Sequence, residues 1–167
     1  KRAGNFVLLS DLIKEVGKDV TRFVMLTRKN DAPLDFDFDK VMEQSRENPV
    51  FYVQYAHARV ASVMRKAAEA GIDVSDKALQ AADLSKLDHA AELALLRKVA
   101  EWPRLIETAA RSNEPHRIAF YLYELAGDLH GFWTLGNAET GLRFIQEDDP
   151  ATSQAKIALA RSVAIVI

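Results

Sequence analysis

Tyr52, Tyr55, Arg59, Ser62 and Lys66 recur at helical spacing within the stretch 48–71, NPVFYVQYAHARVASVMRKAAEAG. Two aromatic rings followed by cations on one helix face can stack unpaired bases and hold phosphates, the chemistry of single-stranded RNA binding. Arg65 lies at the edge of this stripe. A second stripe, Val53, Ala56, Val60, Val63, Met64 and Ala67, is apolar and offset from the first by about 120° on a helical wheel. The same pattern fits an amphipathic helix whose tyrosines cover the rim of a core and whose cations are solvated. Between residues 46 and 66, Arg46, Arg59, Arg65 and Lys66 stand against Glu47 alone, a local balance of +3, while the whole chain carries −2. Any affinity for nucleic acid therefore has to come from a local surface.

Other chemistry finds little support in the residues. There is no cysteine, which excludes a disulfide framework and a thiolate metal site. His57, His89, His116 and His130 are scattered without the spacing of a helical metal site. His57 falls on the apolar flank of the central stretch and is expected to be a buried, hydrogen-bonded structural residue. Glu124 and Asp128, an i,i+4 acidic pair, read as a solvated face. Asp35, Asp37 and Asp39 alternate in LDFDFD, but the glycine and closing glutamate of a calcium loop are missing. No serine or histidine is placed as a nucleophile–base pair, and no glycine-rich phosphate loop follows a strand. The expectation is no metal and no cofactor bound by this chain.

The elements that would position the stripe are helical. With 167 residues, 49% of them hydrophobic, the chain can build a core as one domain or a domain plus a short preceding piece. No apolar run reaches membrane-spanning length. Ser10 is expected to cap a first helix ending at Gly17. A second runs from about Lys18 to Thr27, with Val20, Phe23, Val24 and Leu26 as candidate core residues. Leu34 to Asp39 reads as an extended lead-in with Phe36 and Phe38 turned inward. Asn48 and Pro49 start the long central helix and Gly71 ends it. Helical patterns follow at 76–82, 88–101, beyond Pro103 and at about 115–135, with a turn between Gly136 and Gly141. Asp149-Pro150 opens a last helix. Val53, Val60 and Val63 are expected to pack on Leu122, Leu125 and Leu129. The fold class is all-α, a helical bundle.

The stretch NPVFYVQYAHAR closely resembles the signature helix of the C-terminal anticodon-binding domain of arginyl-tRNA synthetases, a class I family. The resemblance extends over nearly the whole chain: KRAGN at the start, Asp19-Val20-Thr21-Arg22 where the family shows Asp-Ala-Leu-Arg, LDFDFD, and YLYELAGDLHGFW. It implies a helical connector over residues 1–45 and an anticodon-binding domain over 46–167, with both ends cut from a longer protein. The apolar Ala164-Ile165-Val166-Ile167 end would otherwise lack cover. Lys1 would be the last lysine of a KMSKS-like loop that contacts ATP in the family. Tyr52, Tyr55, Arg59 and Arg65 match positions that contact the anticodon arm, and Trp133 lies where the family has an aromatic near the anticodon bases. The implied partners are tRNA and the catalytic domain of the same chain. ATP with magnesium is used there, and the protein is expected to be a cytoplasmic monomer away from membranes. A helical protein-interaction module, or the helical domain of another class I synthetase, remains the alternative reading.

Overall fold

Asn48 ties down the start of the helix that carries the stripe. In the computed structural model, which describes residues 8–29 and 31–167, its Oδ1 accepts the Val50 and Phe51 amides at 3.1 and 3.2 Å. Its Nδ2 donates to the Val41 and Glu43 carbonyls at 2.7 and 2.9 Å, so the buried amide also anchors the incoming chain. Helix α4 runs from Pro49 to Glu69, roughly 30 Å at the usual rise per residue. It closes where Gly71 takes φ 80°, with Gly71 N–H donating to the Ala68 carbonyl and Ile72 N–H to the Ala67 carbonyl.

Before α4 lie α1 (Leu9–Val16), α2 (Lys18–Leu26) and α3 (Phe38–Met42). After it come α5 (Asp76–Gln80), α6 (Ala90–Ala100), α7 (Trp102–Ser112), α8 (His116–Ala138) and α9 (Pro150–Val166). Single 3₁₀ turns occur at Leu84–Lys86 and Thr140–Leu142, and no strand occurs among the described residues. The fold is all-α, as expected.

Two apolar clusters organise these helices. The larger joins α4, α6, α8 and α9 through Val53, Val60, Val63, Leu95, Leu125, Leu129, Ile157 and Val163. The smaller gathers Leu12, Val16, Val24, Val41 and Val50, with Phe36 and Phe38 packed on it edge to face at 5.2 Å. Val50, in the first turn of α4, belongs to this second cluster. The apolar stripe of α4 is buried as expected, and Leu125 and Leu129 lie under it, with Leu122 at the margin. Its most extensive partner, however, is α9 rather than α8. Both helices carry fully covered alanines, Ala56 and Ala67 on α4 and Ala155 and Ala160 on α9, and side chains this small permit close approach.

Several local expectations are corrected. Ser10 lies inside α1, which starts after Leu8 without a side-chain cap. Leu26 points outward at 45% exposure because the second cluster covers only the Thr21–Val24 side of α2. Helix α8 continues through Gly136, which is buried against the Leu142 backbone. At the end of the chain, Ala164, Val166 and Ile167 pack on the main core, leaving Ile165 exposed. Of these four residues three are partly covered, and Ile165 is 68% exposed.

A buried ion pair was not legible in the sequence. Lys156 of α9 and Glu92 of α6 are both almost wholly buried, and Lys156 Nζ lies 3.1 Å from Glu92 Oε1. Glu92 Oε2 accepts the His89 amide in a capping box, and Lys156 also donates to the Gly141 carbonyl. The pair thus joins α6, α9 and the turn that follows α8.

Candidate functional site

Helices α4 and α8 bring the sequence-predicted aromatics together. Residues 52, 55 and 59 follow each other on one face of α4, and 123, 130 and 133 do the same on α8. The Arg59 guanidinium carbon lies 4.6 Å from the Tyr55 ring centre and 4.9 Å from that of Trp133, so the cation is clasped by both rings. Its Nη1 is 3.1 Å from His130 Nδ1, and its Nη2 donates to the Tyr55 hydroxyl at 3.5 Å.

His130 is the hinge pin of the arrangement. It is 8% exposed, and its Nε2 lies 3.1 Å from the Tyr52 carbonyl. A carbonyl only accepts and a guanidinium only donates, so the two partners fix the neutral tautomer with the proton on Nε2. Burial, reinforced by the Arg59 charge, pushes its pKa below the ordinary histidine value, with the Tyr52 carbonyl opposing. The ring also packs 4.4 Å from Tyr52 and 5.5 Å from Tyr55.

Tyr55 is 42% exposed and lies parallel to Phe51 at 5.6 Å. Tyr52 is half-buried rather than free, tilted against Tyr123 at 5.2 Å, with the Arg46 guanidinium 5.9 Å over its ring. Arg46 also donates to the Tyr123 hydroxyl at 3.4 Å. Two hollows flank the Arg59–His130 bridge. One, about 220 Å³, is lined by Val63, Lys66, Trp133, Asn137, Arg143 and Phe144. The other, about 530 Å³, is lined by Arg46, Tyr52, Tyr123, Asp128, His130 and Thr134. Burial raises the Asp128 carboxyl pKa in this groove.

Among the described residues, Arg46, Arg59, Arg65, Lys66 and Arg143 have no carboxylate at ion-pair distance. Glu124, by contrast, is bonded to Lys98 at 2.6 Å. Uncompensated cations beside aromatic faces can hold phosphates and stack planar rings. Among the same residues, no three histidine, aspartate or glutamate side chains come together to hold a metal ion.

Four of the predicted residues, Tyr52, Tyr55, Arg59 and Trp133, meet in this one cluster. Arg65 does not join it: it is exposed and donates to Ser62 Oγ at 3.4 Å, beyond Arg59 along α4. Lys1 lies outside the described residues. His57 is exposed, not buried. The α4 positions buried in the larger cluster, 53, 56, 60, 63 and 67, form a narrow seam, and residue 57 falls just outside it. The hydrogen-bonded structural histidine is His130. Its spacing from Tyr123 and Trp133 on α8 was the available signal, since all three share a helical face.

A profile of the DALR anticodon binding domain matches residues 53–167. The chain belongs to that family. The matched region of the DALR domain begins just inside α4 and contains Tyr55, Arg59, His130 and Trp133. The whole chain aligns with an arginine–tRNA ligase of Ruegeria pomeroyi at 77% identity, covering 29% of that protein. It aligns with those of Roseobacter denitrificans at 72%, covering 29%, and Jannaschia sp. at 62%, covering 28%. The chain thus spans less than a third of the curated relatives it matches. A crystal structure of a Campylobacter jejuni protein assigned as an arginyl-tRNA synthetase superposes with a TM-score of 0.68 at 28% identity, over 99% of this chain and 35% of that one. Among the described residues of this DALR domain, no helix is long and apolar enough to cross a membrane.

Proposed function

We propose that this chain is the anticodon-recognition part of an arginyl-tRNA synthetase, and that Tyr52, Tyr55, Arg59 and Trp133 receive the anticodon arm of tRNA, with Arg65 farther along α4. The observation that carries the reading is Arg59 clasped between two aromatic rings in a patch of unpaired cations. Bases of a loop can splay out, so exposed ring faces stack them while guanidinium groups hold phosphates or base edges. The reading also includes a connector over residues 1–45 and a binding domain over 46–167; the smaller apolar cluster lies mostly within the first and the larger mostly within the second, with Val50 and Phe23 reaching across.

The whole protein would attach arginine to its tRNA in a cytoplasmic reaction that uses ATP and magnesium. That chemistry belongs to a catalytic domain outside this chain, with Lys1 at the end of its signature loop. The described residues bring only recognition, so this chain alone is expected to give no arginine-dependent ATP–pyrophosphate exchange.

The test is tRNA binding by Tyr55→Ala and Arg59→Ala in the full-length protein. Losing one stacked ring should weaken binding by about 1–3 kcal/mol, or roughly 5–150-fold. Arg59→Ala should flatten the log–log salt dependence by about 0.7 if it contacts one phosphate. If it reads a base edge, the slope holds and discrimination between anticodon variants falls. Unchanged binding and charging by both folded variants would reduce the stripe to a solvated face.

A further inference from the structure

Arg59 is held on three sides, by the Tyr55 ring, the Trp133 ring and His130 Nδ1. The rings leave a guanidinium free to slide over their faces; of its two directional contacts, the one to the imidazole nitrogen at 3.1 Å is shorter than the one to the Tyr55 hydroxyl at 3.5 Å. We propose that His130 is a positioning residue for RNA binding: its neutral ring locks the Arg59 guanidinium between Tyr55 and Trp133, and protonation of that ring releases it. This role rests on reading the Arg59 face as the RNA surface.

The bond depends on the lone pair of Nδ1, because the other ring nitrogen is committed to the Tyr52 carbonyl. A proton on Nδ1 turns the acceptor into a donor and sets a second positive charge 3.1 Å from the guanidinium nitrogen. Only the Tyr52 carbonyl favours the charged ring, and no carboxylate pairs with it. From α4 it meets Arg59 and the rings of Tyr52 and Tyr55, and Arg46, from the segment before α4, lines the same groove. Along α8, Tyr123, Glu124 and Asp128 line the same groove, yet neither carboxylate pairs with the ring, and Glu124 is bonded to Lys98. Burial and the adjacent cation hold the ring neutral at ordinary pH.

The sign of the resulting pH dependence is diagnostic. On a surface where histidines merely add charge, acidification tightens RNA binding. Here acidification should loosen it, because the lost contact organises the cation at the centre of the surface.

The experiment measures affinity of the full-length protein for an arginine tRNA transcript from about pH 8 to about pH 5, the range in which histidines titrate. Thermal melting at each pH checks folding. Wild type should bind more weakly toward acid. His130→Asn keeps an acceptor near the Nδ1 position but loses the donor to the Tyr52 carbonyl, so at neutral pH it should bind more weakly than wild type yet more tightly than His130→Gln, and it should lose the acid weakening. His130→Gln keeps a donor near Nε2 but not the acceptor. It should bind roughly tenfold more weakly at neutral pH, the low end for a charged hydrogen bond, with a flat acid profile. Wild-type binding that tightens on acidification, or His130→Gln equal to wild type while Arg59→Ala is weakened, overturns the positioning role and leaves the RNA surface standing. Arg59→Ala equal to wild type overturns the RNA surface itself, and this role with it.

Discussion

Lys156→Met should destabilise the domain far more than the loss of its two polar contacts suggests. In the folded chain Lys156 Nζ sits 3.1 Å from Glu92 Oε1, both side chains are at most 3% exposed, and the ammonium also reaches the Gly141 carbonyl. Methionine can fill the channel of the lysine stem but leaves the Glu92 carboxylate buried, with the His89 amide as its remaining hydrogen bond. Leaving one buried charge without its partner typically costs about 3–5 kcal/mol. For a chain of this size that corresponds to a fall in melting temperature of roughly 6–20 °C. Removing both charges together, as Glu92→Gln with Lys156→Met, eliminates the stranded carboxylate, so the double variant should be more stable than Lys156→Met alone. Urea unfolding of the wild type, both single variants and the double variant, followed by circular dichroism, gives the coupling between the two sites. The Gly141 turn leads directly into Leu142, Arg143 and Phe144, which line the hollow beyond Trp133. The loosened turn should therefore be visible as altered Trp133 fluorescence. A cost for Lys156→Met below about 1 kcal/mol, the level of surface substitutions, would refute the argument that the pair is desolvated and interdependent.

Leu125, fully buried beneath α4, should lose roughly 2–5 kcal/mol on substitution by alanine, measured by the same urea unfolding; a much smaller loss would mean that α8 does not carry the core under the stripe. His130 should also make stability fall in acid. Its folded pKa is depressed, so below the ordinary value of 6.5 the unfolded chain binds the proton first, and stability drops until the folded pKa is passed. Unfolding midpoints compared across that range should show this component in wild type and not in His130→Asn.

Local chemistry made much of this protein legible from its residues. Asn48-Pro49 and Gly71 bound α4 because a side-chain oxygen, a proline ring and a left-handed glycine act within a few residues of chain. Asp149-Pro150 opens α9 in the same way. The period of the apolar residues on α4 told which side is buried, and Tyr52, Tyr55 and Arg59 followed as the neighbouring face. The family was readable because its blocks keep their order along the chain.

Only the tertiary structure decided what lies across from each face. A helix's own periodicity gives the direction in which it wants cover, not which helix supplies it, so α9 as the main partner of α4 could not be read from either stripe. For the same reason His57 looked buried: the wheel places it on the apolar flank, but the width of the seam is set by how closely α8 and α9 approach. His130, by contrast, becomes the bridge of the site only when α8 lays it between Tyr52 and Arg59, residues more than seventy positions away. Glu92 and Lys156 each look like surface charges in sequence, since burying either one alone is prohibitive. They are buried because packing α6 against α9 brings the two together, and no local signal records a partner that only the fold provides.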